Sequence, residues 1–218
     1  MRPNGRKENQ TTVTKGEQTR RRIVEAAAPI FNRQGYEGSS LADLMAATGL
    51  KKGGIYRHFS SKEELAAEAF DYAWESAWRT RARFVDENAA GVDALKQRIA
   101  AFIERRSPVP GGCPVLNTAI AATDGNPVLR ARVGKALRTW RASLQKLAED
   151  AAARGEIRPG VDPKTVATVI IATLEGALMI SRLERSDDAL RRAREFLNRY
   201  LDVEVDNRSA TGAGSNAL

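Results

Sequence analysis

Leu129, Val133, Leu137, Trp140, Leu144, Leu147 and Ala151 recur at spacings of three and four through PVLRARVGKALRTWRASLQKLAEDAAARG. That interval follows the turn of an α-helix and not the two-residue period of a strand, so the stretch buries one stripe only as a long amphipathic helix. Asn126 stands at its N-cap, Pro127 at its first position and Gly155 at its end. The same punctuation recurs along the chain. From Glu17 to Gln34, Ile23, Ala27, Ile30 and Phe31 share a face, Pro29 is expected to kink the helix or mark an irregularity, and Gly35 stops it. In GSSLADLMAATGL, Ser40 caps a short helix with Asp43 in a capping-box position, Leu41, Leu44 and Met45 face inward, and Gly49 permits a tight turn. KKGGIYRHF gives a second short helix, and SSKEEL restarts the chain with Ser60 as N-cap and Glu63 at N3. Leu95, Ile99, Phe102 and Ile103 form a further stripe before SPVPGGCP interrupts it. Asp162 and Pro163 open a helix that is apolar around most of its circumference. The expected fold class is therefore all-α.

Composition narrows the function. Of 218 residues 42% are hydrophobic and 28% charged, as in a globular protein, and no apolar run is expected to approach the ~18 residues of a membrane span. MRPNGRKENQ lacks the apolar core of a signal peptide, which points to the cytoplasm and to no membrane partner. Cys113 is the single cysteine, so no intrachain disulfide forms, and no Cys/His cluster offers metal-ligand spacing. No nucleophile–base pair, phosphate loop or carboxylate cluster is present either, so neither an enzyme nor a cofactor is expected. The +8 net charge is unevenly spread: residues 1–62 hold 12 Lys and Arg against 5 Asp and Glu, a net of +7, and the remainder is nearly neutral. A basic N-terminal module on a neutral body suits a polyanion partner.

Two short helices joined by a glycine turn match the helix-turn-helix pattern, with the second as recognition helix. The run TRRRIVEAAAPIFNRQGYEGSSLADLMAATGLKKGGIYRHFSSKEELAAEAF, from Thr19 to Phe70, resembles the DNA-binding domain of TetR/AcrR-family transcriptional repressors. The arginine-rich helix entry, F..QGY.G.S, L....GL.KGGIYRHF and S.KEEL stand in family order. The resemblance implies an all-helical homodimer that binds an inverted-repeat operator and leaves it when a small-molecule effector binds the C-terminal domain. It also implies phosphate and sugar contacts from Tyr56 and His58. Gly53 and Gly54 remove bulk where the helix approaches the major groove, beside Lys51. Lys52 is placed to reach base edges, Arg57 base or phosphate, and Lys62 the backbone. Arg20 and its neighbours Arg21 and Arg22 are expected to attract phosphate. Leu41 and Ala42 occupy positions that are often polar in the family, which leaves Ser39 or Ser40 as the phosphate contact. Ile55 and Phe59, four apart, read as core.

Four segments follow: a flexible basic arm at 1–16, the DNA-binding domain at 17–62, a helical effector-binding and dimerisation domain at 63–206, and a disordered tail at 207–218. The resemblance places an effector within the third. Candidate pocket residues are Tyr72, Trp74, Trp78, Phe102, Cys113, Asn117, Trp140 and Met179, although the same aromatics suit an ordinary core. The last two helices resemble the family's four-helix dimer interface, with Val166, Ile170, Leu174, Ala177, Leu178, Phe196 and Leu197 as candidates. Cys113 precedes Pro114 at a helix start, where the dipole can lower a thiol pKa; the alternatives are an oxidant- or electrophile-responsive thiol and a small buried side chain. A ligand-independent architectural DNA binder is the remaining alternative, with little sequence preference expected of it.

Overall fold

The computed structural model describes residues 14–86, 88–122 and 125–208. Helices α1 (Lys15–Gly38), α2 (Leu41–Thr48), α3 (Lys52–Tyr56) and α4 (Lys62–Ala82) are followed by α5 (Gly91–Glu104), α6 (Pro114–Ala122), α7 (Pro127–Ala153), α8 (Pro163–Glu184) and α9 (Asp188–Tyr200). A π-helical turn, Leu201–Val205, ends the series, and a lone antiparallel bridge joins Ile157 to Asp206.

Local chemistry sets most boundaries. The Thr14 hydroxyl accepts from the Glu17 amide and the Glu17 carboxylate accepts in return, so α1 starts before the expected end of the basic arm at residue 16. Residues 1–13 lie outside the described residues. Pro29 does not kink α1: within this helix only Gly35 leaves helical dihedrals, at φ 73°, a left-handed value that glycine reaches without a Cβ penalty. Ser40 and Asp43 form the expected capping box, and Gly49 at φ 68° returns its amide to the Met45 carbonyl. Asn126 and Asp162 cap α7 and α8, each with proline at the first position. The α4 cap is displaced by one residue from expectation. Ser61 accepts from the Glu64 amide, while Glu64 accepts from both the amide and the hydroxyl of Ser60.

Two large apolar cores result, beside a small cluster of Ala177, Leu190 and Ala193 between α8 and α9. Ile23, Ala27, Phe31, Leu44, Ile55 and Phe59 pack with Leu65, Ala66, Ala69 and Ala73 of α4 into the N-terminal core. The other face of α4 sends Phe70 into a larger core with Leu95, Ile99, Trp140, Leu144, Ile170 and Leu174, against which Trp74 and Trp78 pack. One helix therefore serves both cores, without a linker between them. Leu137, expected on the inner stripe of α7, is exposed, because the stripe curves past it toward Ala136 and Trp140. α8 is long and apolar enough to cross a membrane by length and composition, contrary to the reading of the sequence. Here its inner side is core and its outer side carries exposed Met179, Ile180 and Leu183. Asn207 and Arg208, assigned to the tail, are held by a main-chain bond from the Asn207 amide to Glu156 and by ion pairs from Arg208 to Asp206 and Asp93. Residues 209–218 lie outside the described residues.

Candidate functional site

The helix-turn-helix presents α3 at the surface while Ile55 and Phe59 anchor it from beneath, as their spacing predicts. Lys51, Lys52, Gly53 and Arg57 are exposed, Tyr56 lies at the edge of exposure, and His58 and Lys62 are half-buried. Among the described residues, no carboxylate lies within ion-pair distance of Lys51, Lys52 or Arg57. Lys62 rests its ammonium over the Tyr36 ring, 4.5 Å from the centroid, which orients it at the start of α4. A Cβ added at Gly53 would meet nothing within 4 Å, whereas one at Gly54 would touch the Leu50 side chain at 3.4 Å. The fold itself thus has no use for the missing side chain at Gly53. A bare, exposed helical glycine flanked by unpaired cations leaves room for an external polyanion.

Three expected contacts on this face serve the fold instead. Arg20 pairs with Glu64 and Glu68, donates to the His58 carbonyl and lies over the Phe59 ring at 4.1 Å, so it staples α1 to the end of the recognition segment. Two carboxylates neutralise it, which removes its attraction for phosphate. Ser39 is 1% exposed and donates its hydroxyl to the Gly35 carbonyl at 2.6 Å, so it does not reach phosphate. Ser40 is exposed but its hydroxyl is spent on the cap with Asp43. Glu64 gathers the Ser60 hydroxyl and amide and the Arg20 guanidinium, which hold its carboxyl down at about 2.

The expected pocket residues divide among five places. Trp74, Trp78, Phe102 and Trp140 pack on one another, with centroids 5.3 Å apart for the tilted Trp74–Trp78 pair and 5.4 Å for the stacked Phe102–Trp140 pair; Phe102 and Trp140 are buried core, and the other two pack against it. Tyr72 packs on the N-terminal core, and Met179 lies on the outer surface of α8. Phe102 and Cys113 border a cavity of about 620 Å³, walled by Arg33, Arg81, Ile103, the 106–113 connection, Leu178, Ser181, Arg182 and the start of α9. That volume falls within the range of small-molecule sites. A second crevice, between α1, α4 and α6, holds only about 20 Å³ and marks the joint between the two cores. Asn117 lies at this joint, donating to Asn32 and Gly111 and accepting from Arg182.

Cys113 is completely buried, and burial pushes its thiol up to about 12, the reverse of the lowered value expected from a helix start. Desolvation outweighs the dipole here. A thiol so protected and so rarely ionised does not suit oxidant sensing.

Of the expected dimer residues, Val166, Ile170, Leu174, Ala177 and Leu197 are buried within the protomer, and Leu178 packs against its core. Only Phe196 faces outward. The exposed apolar residues of α8 and α9 are instead Ala172, Met179, Ile180, Leu183 and Phe196, of which Ala172, Ile180 and Phe196 line an open trough of about 600 Å³ rimmed by Glu184, Asp188 and Arg192.

Residues 23–69 match the bacterial regulatory proteins of the tetR family, and residues 90–197 match the tetracyclin repressor-like C-terminal domain. The chain belongs to the TetR family of transcriptional regulators. A TetR transcriptional regulator from Chloroflexus aurantiacus J-10-FL is 46% identical, with a TM-score of 0.83 over 88% of this chain and 98% of that one. The HTH-type transcriptional repressor DhaR of Mycobacterium sp. strain GP1 is 28% identical over 185 residues, 84% of this chain and 89% of DhaR. The repressor ComR of Escherichia coli K12 is 30% identical over 166 residues, 73% of this chain and 77% of ComR.

Within this TetR-family chain, Arg81 and Arg182 border the cavity and Glu175 lies close to Arg81, three residues that the sequence reading does not single out. Arg81 lines the cavity with its Nε buried and unbonded; both carboxyl oxygens of Glu175 are also buried without a hydrogen bond. Glu175 carries a signal, as the one charge in TVIIATLEGALMI. Arg81 and Arg182 look like any other arginine of an exposed helix.

Proposed function

We propose that the protein represses transcription by binding an inverted-repeat operator as a homodimer in the cytoplasm, and leaves the operator when a small molecule enters the 620 Å³ cavity. The observation that carries this reading is the exposed, unpaired cationic face of Lys51, Lys52 and Arg57 around the open backbone at Gly53. Lys52 donates to base edges, Tyr56, His58 and Lys62 grip the sugar-phosphate chain, and Arg57 serves either. Dimerisation uses the outer apolar face of α8 and α9, which a lone protomer leaves in water. Two recognition helices then reach half-sites about one DNA turn apart, ~34 Å. A ligand releases DNA only as far as it prefers the splayed dimer over the bound one. The names of DhaR and ComR as repressors support the sign of regulation.

The test is selection of bound duplexes from a random pool, followed by competition with Lys52→Ala at fixed salt. Enrichment of an inverted repeat is expected, with about 1–3 kcal/mol lost in the variant. Tight binding with no enriched motif overturns the reading in favour of architectural binding.

A further inference from the structure

The cavity is unusually rich in one charge. Arg33, Arg81, Arg106, Arg182 and Arg185 border it, and among the described lining residues Asp187 is the only carboxylate. Asp187 is engaged, accepting two bonds from Arg106 at 2.8 and 3.0 Å. Arg182 has a neutral partner, the Asn117 amide oxygen, at 2.7 Å. Neither Arg33 nor Arg185 has a carboxylate within ion-pair distance among the described residues. Arg81 is the most demanding: its guanidinium lies over the Phe102 ring at 4.2 Å, and its Nε is buried with no acceptor. A guanidinium so placed is costly until an oxyanion meets it, and its planar fork fits carboxylate and phosphate oxygens in pairs.

We propose that this cavity takes an organic acid, an ionised carboxylate or phosphate head on an apolar body, with the head held by Arg81 and Arg182. The inference rests on the reading of the cavity as the effector site. Phe102, Ile103 and Leu178 supply the apolar wall for the body. Glu175 is a buried neighbour that attracts Arg81 through space without a hydrogen bond to its guanidinium, so the planar fork of Arg81 is still open to an oxyanion. Burial raises the pKa of its carboxyl, while the Cys113 thiol and the charge of Arg81 act to lower it. Burial lowers the pKa of Arg81 by more than Cys113 and Glu175 restore it. An acid head that draws Arg182 away from Asn117 loosens a chain of bonds that continues to Asn32 of α1, so the same event reaches the DNA-binding module.

The experiment uses the full chain with octanoate, octyl phosphate, octanamide and octanol in thermal-shift and calorimetric titrations, alongside operator binding in the same buffer. The acids are expected to raise the melting temperature and to bind at least about tenfold more tightly than the amide and the alcohol, equivalent to ~1.4 kcal/mol. The stronger of the two acids identifies the head group. Arg81→Met is expected to abolish the preference for acids; if that variant does not fold, Arg182→Gln, altered at an exposed position, is expected to reduce it. Equal binding of octanoate and octanamide, undiminished acid binding in both variants, or no acid binding up to millimolar concentration overturns the assignment. Operator recognition that persists under any of those results leaves the repressor reading standing, whereas its absence overturns that reading whatever the acids do.

Discussion

The side-chain amide of Asn117 donates to the main-chain carbonyl of Asn32 at 2.8 Å, tying α6 to the end of α1 across the joint between the two cores. The same amide donates to the Gly111 carbonyl at 2.8 Å, and Asn32 returns a bond to the Pro110 carbonyl at 3.0 Å. Asn117→Ala strands the partly buried carbonyls of Asn32 and Gly111. A loss of ~1–3 kcal/mol is expected in urea unfolding. A separate readout is the ratio of operator affinities with and without effector, which falls if this joint couples the modules and holds if it only stabilises them.

Gly53→Ala fills open space on α3. The protein should gain ~0.5–1 kcal/mol of stability, since alanine loses less backbone freedom in a helix. Operator affinity should fall because the added methyl holds the backbone off the groove. A thermal melt and fluorescence anisotropy on the same sample give both values, and an unchanged affinity removes Gly53 from the interface.

On α8, Leu183 is 78% exposed and Leu174 is 1% exposed. Leu183→Glu is expected to halve the sedimenting mass with the fold intact, because it charges the outer apolar face. Leu174→Glu should instead unfold the chain, as an unpaired carboxylate enters the core. A Leu183→Glu protein that remains dimeric argues for a different interface.

Glu64 sits at about 2 rather than its ordinary 4.5, chiefly through the Ser60 hydroxyl and then Arg20. Its folded pKa is depressed, so its contribution is complete above the unfolded value and disappears as pH falls toward 2. Glu64→Gln should flatten the pH dependence of unfolding between about 4.5 and about 2, and have its largest effect near neutrality. A variant whose acid limb overlays the parent's excludes Glu64 as the group responsible.

Cys113 should resist Ellman's reagent at neutral pH until the protein unfolds, because its thiol is buried and held near 12. Cys113→Ala should leave operator binding unaltered by peroxide, as in the parent. Rapid labelling of the folded chain contradicts the burial.

Short-range chemistry made much of this fold readable. Ser40, Asn126 and Asp162 cap helices because a hydroxyl, carboxamide or carboxylate oxygen meets an amide within three residues, a relation visible in the sequence itself. At Ser60 and Ser61 two adjacent serines offer the same chemistry, and only the reach of Glu64 toward Arg20 separates them. Sidedness is harder. α8 is apolar almost all round, so periodicity does not say whether Leu174 or Leu183 turns inward; packing against α7 and α9 decides it. Arg20 illustrates the same limit, since its carboxylate partners lie 44 and 48 residues away.

Arg81 and Lys62 stand near opposite ends of α4, an unbroken helix of 21 residues and about 30 Å. Because each core grips a different part of it, the helix works as a lever. A tilt of roughly 4° about its midpoint sweeps either tip through roughly 1 Å over a 15 Å arm, by the length of a helix at 1.5 Å per residue. Doubled across a two-fold axis, a displacement of a single bond length at the cavity becomes a mismatch in stride between protein and DNA.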